Sequence, residues 1–95
     1  MICIKKTGMA GTVESNDVMI MISPAPPNEG ITINLKSPVK KQYGKQIEAA
    51  VIEVLTRREV QDVIVDINDR GAFDCTIYAR VDTAIDRAMA EGGEQ

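Results

Sequence analysis

At 95 residues the chain has room for one domain and one modest core. Its 44 % apolar and 26 % charged residues are those of an ordinary folded domain, and the lack of any histidine excludes serine–histidine and cysteine–histidine nucleophile pairs and histidine zinc sites. The net charge of −3 is uneven: residues 1–48 carry +2, all of it from lysines, and residues 49–95 carry −5. With Tyr43, Tyr78 and Phe73 as the only aromatic residues, that pattern offers no basic stripe or stacking platform, so nucleic acid is not an expected partner.

No stretch of 18 apolar residues exists, so no membrane span is expected. Residues 1–6 lack the apolar run of a signal peptide. Cys3 and Cys75 are too few for a disulfide framework and have no metal-ligand spacing. A reduced, cytoplasmic setting follows as the expectation. The chain reads as a single domain over residues 1–95, with residues 91–95 expected to fray.

In chain order, residues 8–13 predict a strand in which Gly11 marks a bulge or a close backbone approach. Glu14-Ser15-Asn16-Asp17 is a run of turn formers. Residues 18–22 resume a strand-like apolar run, so the segment predicts a β-hairpin with Ser15 at or beside its tip. Pro24, Pro26 and Pro27 make residues 23–30 a loop. Residues 31–36 alternate apolar and polar and predict a half-buried strand.

Ser37-Pro38 has the form of a helix start, with serine as N-cap and proline in the first helical position. The helix is expected to run to about Arg58. Its apolar stripe is Val39, Tyr43, Ile47, Val51 and Leu55, joined by Ala50 and Val54. Gly44 within it costs roughly 1 kcal/mol relative to alanine. Ile52 falls opposite the stripe, either as an isolated exposed residue or as a contact for a partner protein. Residues 60–67 predict a strand and residues 68–71 a turn. Residues 72–80 alternate, with Phe73, Cys75, Ile77 and Ala79 on one face, and predict a strand returning antiparallel. Val81, Ala84, Ile85, Ala88 and Met89 then predict a short amphipathic helix. The fold class is α+β: a mostly antiparallel sheet with one long and one short helix packed on one face.

Of three serines, Ser23 precedes a proline and Ser37 opens a helix. Ser15 alone has no evident structural duty: its hydroxyl either bonds its own backbone or stands out for an enzyme to modify. Glu14 and Asp17 beside it are either solvated or help to orient an incoming group, and without neighbouring ligands they make no metal site. Lys36, Lys40, Lys41 and Lys45 gather at a helix N-terminus, against the dipole. They are either a solvated face or a site for an anion. The apolar alternation around Cys75 predicts that it packs in the core, and neither cysteine is assigned a role.

The segment Ala10-Gly11-Thr12-Val13-Glu14-Ser15-Asn16-Asp17-Val18-Met19-Ile20 resembles the prosthetic-group attachment segment of the citrate lyase acyl carrier protein, or γ subunit, family. Val39-Lys40-Lys41-Gln42-Tyr43-Gly44, Gly71-Ala72-Phe73-Asp74-Cys75 and Ala79-Arg80 resemble the same family, in the same order and across nearly the whole chain. The departure is Asn16, where the family often has glycine; asparagine also enters the left-handed region, so the turn is expected to survive.

The resemblance implies that Ser15, flanked by Gly11, Thr12, Glu14, Asn16 and Asp17, is linked through a phosphodiester to 2'-(5''-phosphoribosyl)-3'-dephospho-CoA. It implies a non-catalytic carrier that moves acetyl and citryl thioesters between the transferase (α) and lyase (β) subunits, converting citrate to acetate and oxaloacetate. A prosthetic-group transferase would load it, and no metal is implied on this chain. A malonate decarboxylase-type carrier and a protein-binding module are the alternatives.

Overall fold

A computed structural model describes residues 2–89. Along the chain run β1 (Ile2–Cys3), β2 (Gly8–Gly11), β3 (Val18–Pro24), β4 (Ile31–Lys36), α1 (Lys40–Arg57), β5 (Val60–Gln61), β6 (Val63–Asp69) and α2 (Asp74–Met89). The main sheet has the order β2-β3-β6-β4. Its β2–β3 and β3–β6 pairs are antiparallel and its β6–β4 pair is parallel. β1 and β5 form a separate short parallel ladder. The expected tail at residues 91–95 lies outside the described residues.

Register explains why one face is buried. Ala10, Ile20, Ile67 and Leu35 stand in one row across the sheet, and Gly8, Ile22, Val65 and Ile33 in the next. Apart from Ile33, which is half-buried, all of these positions are buried. α2 lies against β2 and β3, and α1 against β4. Each fully buried Val or Ile in these rows contributes about 1.5–3 kcal/mol. The opposite face carries the rows Met9–Met21–Asp66–Asn34 and Gly11–Met19–Asn68–Lys36. The helices are joined by Arg58, which donates to Asp82 at 3.0 Å and to Asp86 at 2.7 Å, and by the Tyr78 hydroxyl, which donates to Glu53 at 3.1 Å.

The α+β class, the hairpin and the strand at 31–36 are as the sequence predicts. The returning strand at 72–80 is not: residues 74–89 are one helix, α2. Ile77, Val81, Ala84, Ile85 and Ala88 are its buried residues, at helical spacing. The competing alternation fails because Phe73 is 71 % exposed and Cys75 and Ala79 also face solvent. A short run in which Ile77 satisfies both periods cannot by itself choose between them. The expected antiparallel hairpin is therefore absent, and β6 pairs parallel with β4 after the α1 crossover.

Smaller differences have local causes. The strand expected at 60–67 breaks at Asp62, whose φ is 58° and whose carboxylate accepts the Gly30 N–H at 2.9 Å. Ser23 and Pro24 belong to β3, with Pro24 at its very end, where a missing donor costs least. α1 begins at Lys40 rather than Pro38, and its N-cap, Val39, has no side-chain cap bond. Ser37 stands in the turn before it: its hydroxyl accepts the Val39 N–H at 3.1 Å and donates to Asp69 at 2.8 Å. Tyr43 is 51 % exposed and Val39 half-buried, while Gly44 is buried over Leu35, so the stripe enters the core one residue off the expected line.

The glycines that meet the two helices should respond oppositely. A Cβ at Gly8 would overlap the backbone of α2 at Ala84 and Ala88, whereas one at Gly44 would meet the flexible Lys40 side chain at 3.1 Å. Gly8→Ala should destabilise the fold by about 1–3 kcal/mol. Gly44→Ala should be neutral or stabilising by up to about 1 kcal/mol. Urea denaturation midpoints check both.

Candidate functional site

Residues 12–17 join β2 to β3 and end in a tight turn. The Asp17 N–H donates to the Glu14 carbonyl at 3.2 Å, which closes Glu14-Ser15-Asn16-Asp17. Asn16, third in the turn, has φ 66°, the sign a type II turn demands of that position. Gly11 also has positive φ, 98°, and a Cβ there would overlap the Val18 carbonyl, so the expected close approach is real. It lets the two strands enter the loop side by side.

Asp17 is built into this loop and is not a solvated acid. Its carboxylate accepts the Thr12 hydroxyl at 2.7 Å, the Val18 N–H at 2.7 Å, and Nε and Nη2 of Arg80, each at 3.1 Å. The Thr12 hydroxyl, followed by Arg80 and the Val18 N–H, draws its pKa down to about 2. The Thr12 hydroxyl in turn accepts the Glu14 N–H at 3.2 Å. Glu14 is exposed and has no ion pair among the described residues.

The turn is also fastened to the end of β6. The Asn16 N–H donates to the Arg70 carbonyl at 2.8 Å, and the Arg70 N–H donates to the Asp17 carbonyl at 2.9 Å. Nη1 of Arg70 donates to the Val13 carbonyl at 3.2 Å, and Nδ2 of Asn16 to the Gly71 carbonyl at 3.4 Å. Ser15 is exposed at the tip, and its hydroxyl has no hydrogen-bond partner among the described residues. Thr12 does the backbone bonding that a turn serine usually does, which leaves Ser15 to solvent.

The structure thus brings Gly11, Thr12, Glu14, Ser15, Asn16 and Asp17 together as the sequence expects. Arg70 and Arg80, which hold this turn, have no local sequence signal: Asp17 and Arg80 lie 63 positions apart. Lys36, Lys40, Lys41 and Lys45 are all exposed. Lys36 and Lys40 border a depression of about 530 Å³ with Met19, Met21, Glu48 and Asp66, so cations and acids share its rim. Ile52 is 42 % exposed. Among the described residues no group of His, Cys, Asp or Glu is placed to hold a metal ion, and no helix is long and apolar enough to cross a membrane.

The domain thus fixes a turn and leaves the Ser15 hydroxyl on it unengaged. The chain's relatives are acyl carriers. The family described as "ACP: Malonate decarboxylase delta subunit (MdcD)" matches residues 5–88. The citrate lyase acyl carrier protein of Lactococcus lactis is 50 % identical over 90 % of this chain and 88 % of its own length. That of Halothermothrix orenii is 44 % identical over 97 % of this chain and 95 % of its own length. In fold, the chain is similar to one in the crystal structure of a Pseudomonas malonate decarboxylase hetero-tetramer in complex with malonate, with a TM-score of 0.76 at 18 % identity, covering 90 % of this chain and 87 % of that one. The chain belongs to the citrate lyase acyl carrier protein family. Such carriers bear a covalently attached prosthetic group.

Two predictions follow from the geometry of the turn. Asn16→Gly should be tolerated and Asn16→Val should destabilise the protein, because a β-branched residue is strained at positive φ; thermal melting of the two variants checks this. For Asp17, a folded-state pKa near 2 lies below the ordinary 3.8. Its stabilising contribution is therefore complete above the ordinary value and disappears as pH falls from about 4 through about 2. The stability difference between wild type and Asp17→Asn, measured by urea denaturation at pH 5 and pH 2, should shrink at the lower pH.

Proposed function

We propose that the chain is the acyl carrier subunit of a citrate lyase, with its prosthetic group joined to Ser15 by a phosphodiester. The observation that carries the reading is the exposed, unbonded Ser15 hydroxyl on a turn whose backbone is tied down on both sides of it. A modifying enzyme can reach that oxygen without first breaking a hydrogen bond. The chain has no histidine, the side chain that most often serves as general base.

The group proposed is 2'-(5''-phosphoribosyl)-3'-dephospho-CoA. When bound, it supplies the thiol that carries acetyl and citryl as thioesters. The task of this chain is to hold the arm's root at a fixed point and present it in turn to an α subunit that exchanges acetyl for citryl and a β subunit that releases oxaloacetate. A prosthetic-group transferase installs the arm. A reducing cytoplasm suits a carrier whose working group is a free thiol.

A malonate decarboxylase carrier is the second reading, favoured by the description of the matching family. Two facts weigh against it: the likeness to that structure, at 18 % identity, speaks for the fold alone, while the citrate lyase carriers reach 44–50 % over most of the chain.

Co-expression with the attachment enzymes of a citrate lyase, followed by intact-mass measurement, tests the proposal. Wild type should gain the full mass of the arm, and peptide mapping should place it on Ser15. Ser15→Ala should gain nothing while its stability changes by no more than about 0.5 kcal/mol. Full modification of the alanine variant would refute the assignment.

A further inference from the structure

We propose that Arg70 is the phosphate-binding residue of this site: its guanidinium pairs with the phosphodiester on Ser15. The proposal rests on the assignment of Ser15 made above.

Arg70 touches the turn on both sides of that serine. Its carbonyl accepts the Asn16 N–H at 2.8 Å, and its Nη1 donates to the Val13 carbonyl at 3.2 Å. The residue therefore meets the loop with its backbone at Asn16 and with its guanidinium at Val13, and Ser15 lies between these two positions in the chain. A guanidinium has five N–H donors in a planar fork. The Val13 carbonyl is the one partner this fork has among the described residues, which leaves most of it available.

The other arginines are differently employed. Arg57, Arg58 and Arg80 pair with carboxylates, and Arg87 donates to the Met9 carbonyl at 2.8 Å. Arg70 has no carboxylate partner among the described residues, although the turn it holds contains Glu14 and Asp17. Asp17 is already neutralised by Arg80. A phosphodiester on Ser15 would add a negative charge next to Glu14, and Arg70 is the cation in contact with the turn that can offset it. Arginine suits the task because its fork matches two phosphate oxygens at once, and such charge-assisted bonds are roughly twice as strong as neutral ones.

Lys36, the lysine on the sheet, stands to the side of the hairpin. Lys36 is on β4, which is separated from β3 by β6. Two strand spacings put it about 10 Å to the side of the hairpin, before any distance along the strands to Ser15 is counted.

The test compares modified and unmodified protein for wild type, Arg70→Gln, Arg70→Lys and, as a control, Arg87→Gln. The phosphorus-31 resonance of the Ser15 phosphodiester should move in Arg70→Gln, move partway in Arg70→Lys, and stay in place in Arg87→Gln. In wild type, high salt should shift it toward the Arg70→Gln position. Modification should raise the melting temperature of wild type more than that of Arg70→Gln. A merely structural role, through the Val13 bond alone, would lower the melting of both forms equally and leave the resonance where it was. If Arg70→Gln escapes modification, the Arg70→Lys displacement decides. An unchanged resonance in whichever of these variants is modified overturns the proposal. That result is distinct from failure of the Ser15 assignment, in which Ser15→Ala still gains the mass.

Discussion

The β3–β6 ladder does not stop where its strands end. Val18 pairs with Asp69, and one step further the backbone of Asp17 and Asn16 bonds that of Arg70. These two bonds turn the hairpin tip from a loop into an extension of the sheet. A net backbone hydrogen bond is worth about 1 kcal/mol, and fixing one residue's backbone costs about 1–2 kcal/mol, so two bonds alone would not order six residues. Further restraint comes from Asp17, which gathers Thr12, Val18 and Arg80 onto one carboxylate, and from the Arg70 and Asn16 side chains, which bond the Val13 and Gly71 carbonyls. On the turn so held, Ser15 carries a hydroxyl that no described residue bonds.

That restraint reaches deep into the fold. Asp69 is the buried charged residue among the described residues, 1 % exposed, and its two oxygens take the Ser37 hydroxyl at 2.8 Å and the Ala72 N–H at 3.0 Å. One carboxylate at the end of β6 thus ties down the approach to α1 and the approach to α2. The position of α2 determines where Arg80 stands, and Arg80 holds Asp17. The close contact at Gly8, where β2 meets the α2 backbone, fixes the same helix from its other end. The Ser15 turn is held by a chain of contacts that begins in the core, and a carrier with its arm rooted there would have a fixed root for a flexible arm.

How far the sequence revealed this depended on the range of each interaction. The hairpin and Ser15 were legible because the turn formers and the flanking strands are adjacent in the chain. The positive φ at Asn16 followed from turn chemistry and the match to glycine in the family. The segment at 72–80 was misread because its apolar alternation competes with a helical period that becomes decisive only with Val81, Ala84 and Ile85. Ser37-Pro38 resembles a helix start, yet the serine hydroxyl is occupied by the preceding turn and by Asp69, 32 positions away. The roles of Arg70, Arg80 and Asp69 in holding the turn and its surroundings were invisible because their partners are remote in sequence and ordinary in type.

If the turn is an extension of the sheet, its amides should report this before any arm is attached. Amide hydrogen exchange on the unmodified protein tests it residue by residue. The amides of Asn16 and Arg70 should be protected to the same degree as the ladder amides of β3 and β6, while the Ser15 amide exchanges quickly. Exchange of Asn16 and Arg70 at the rate of an unstructured chain would contradict the account, because Ser15 would then sit on a free loop rather than on a fixed platform.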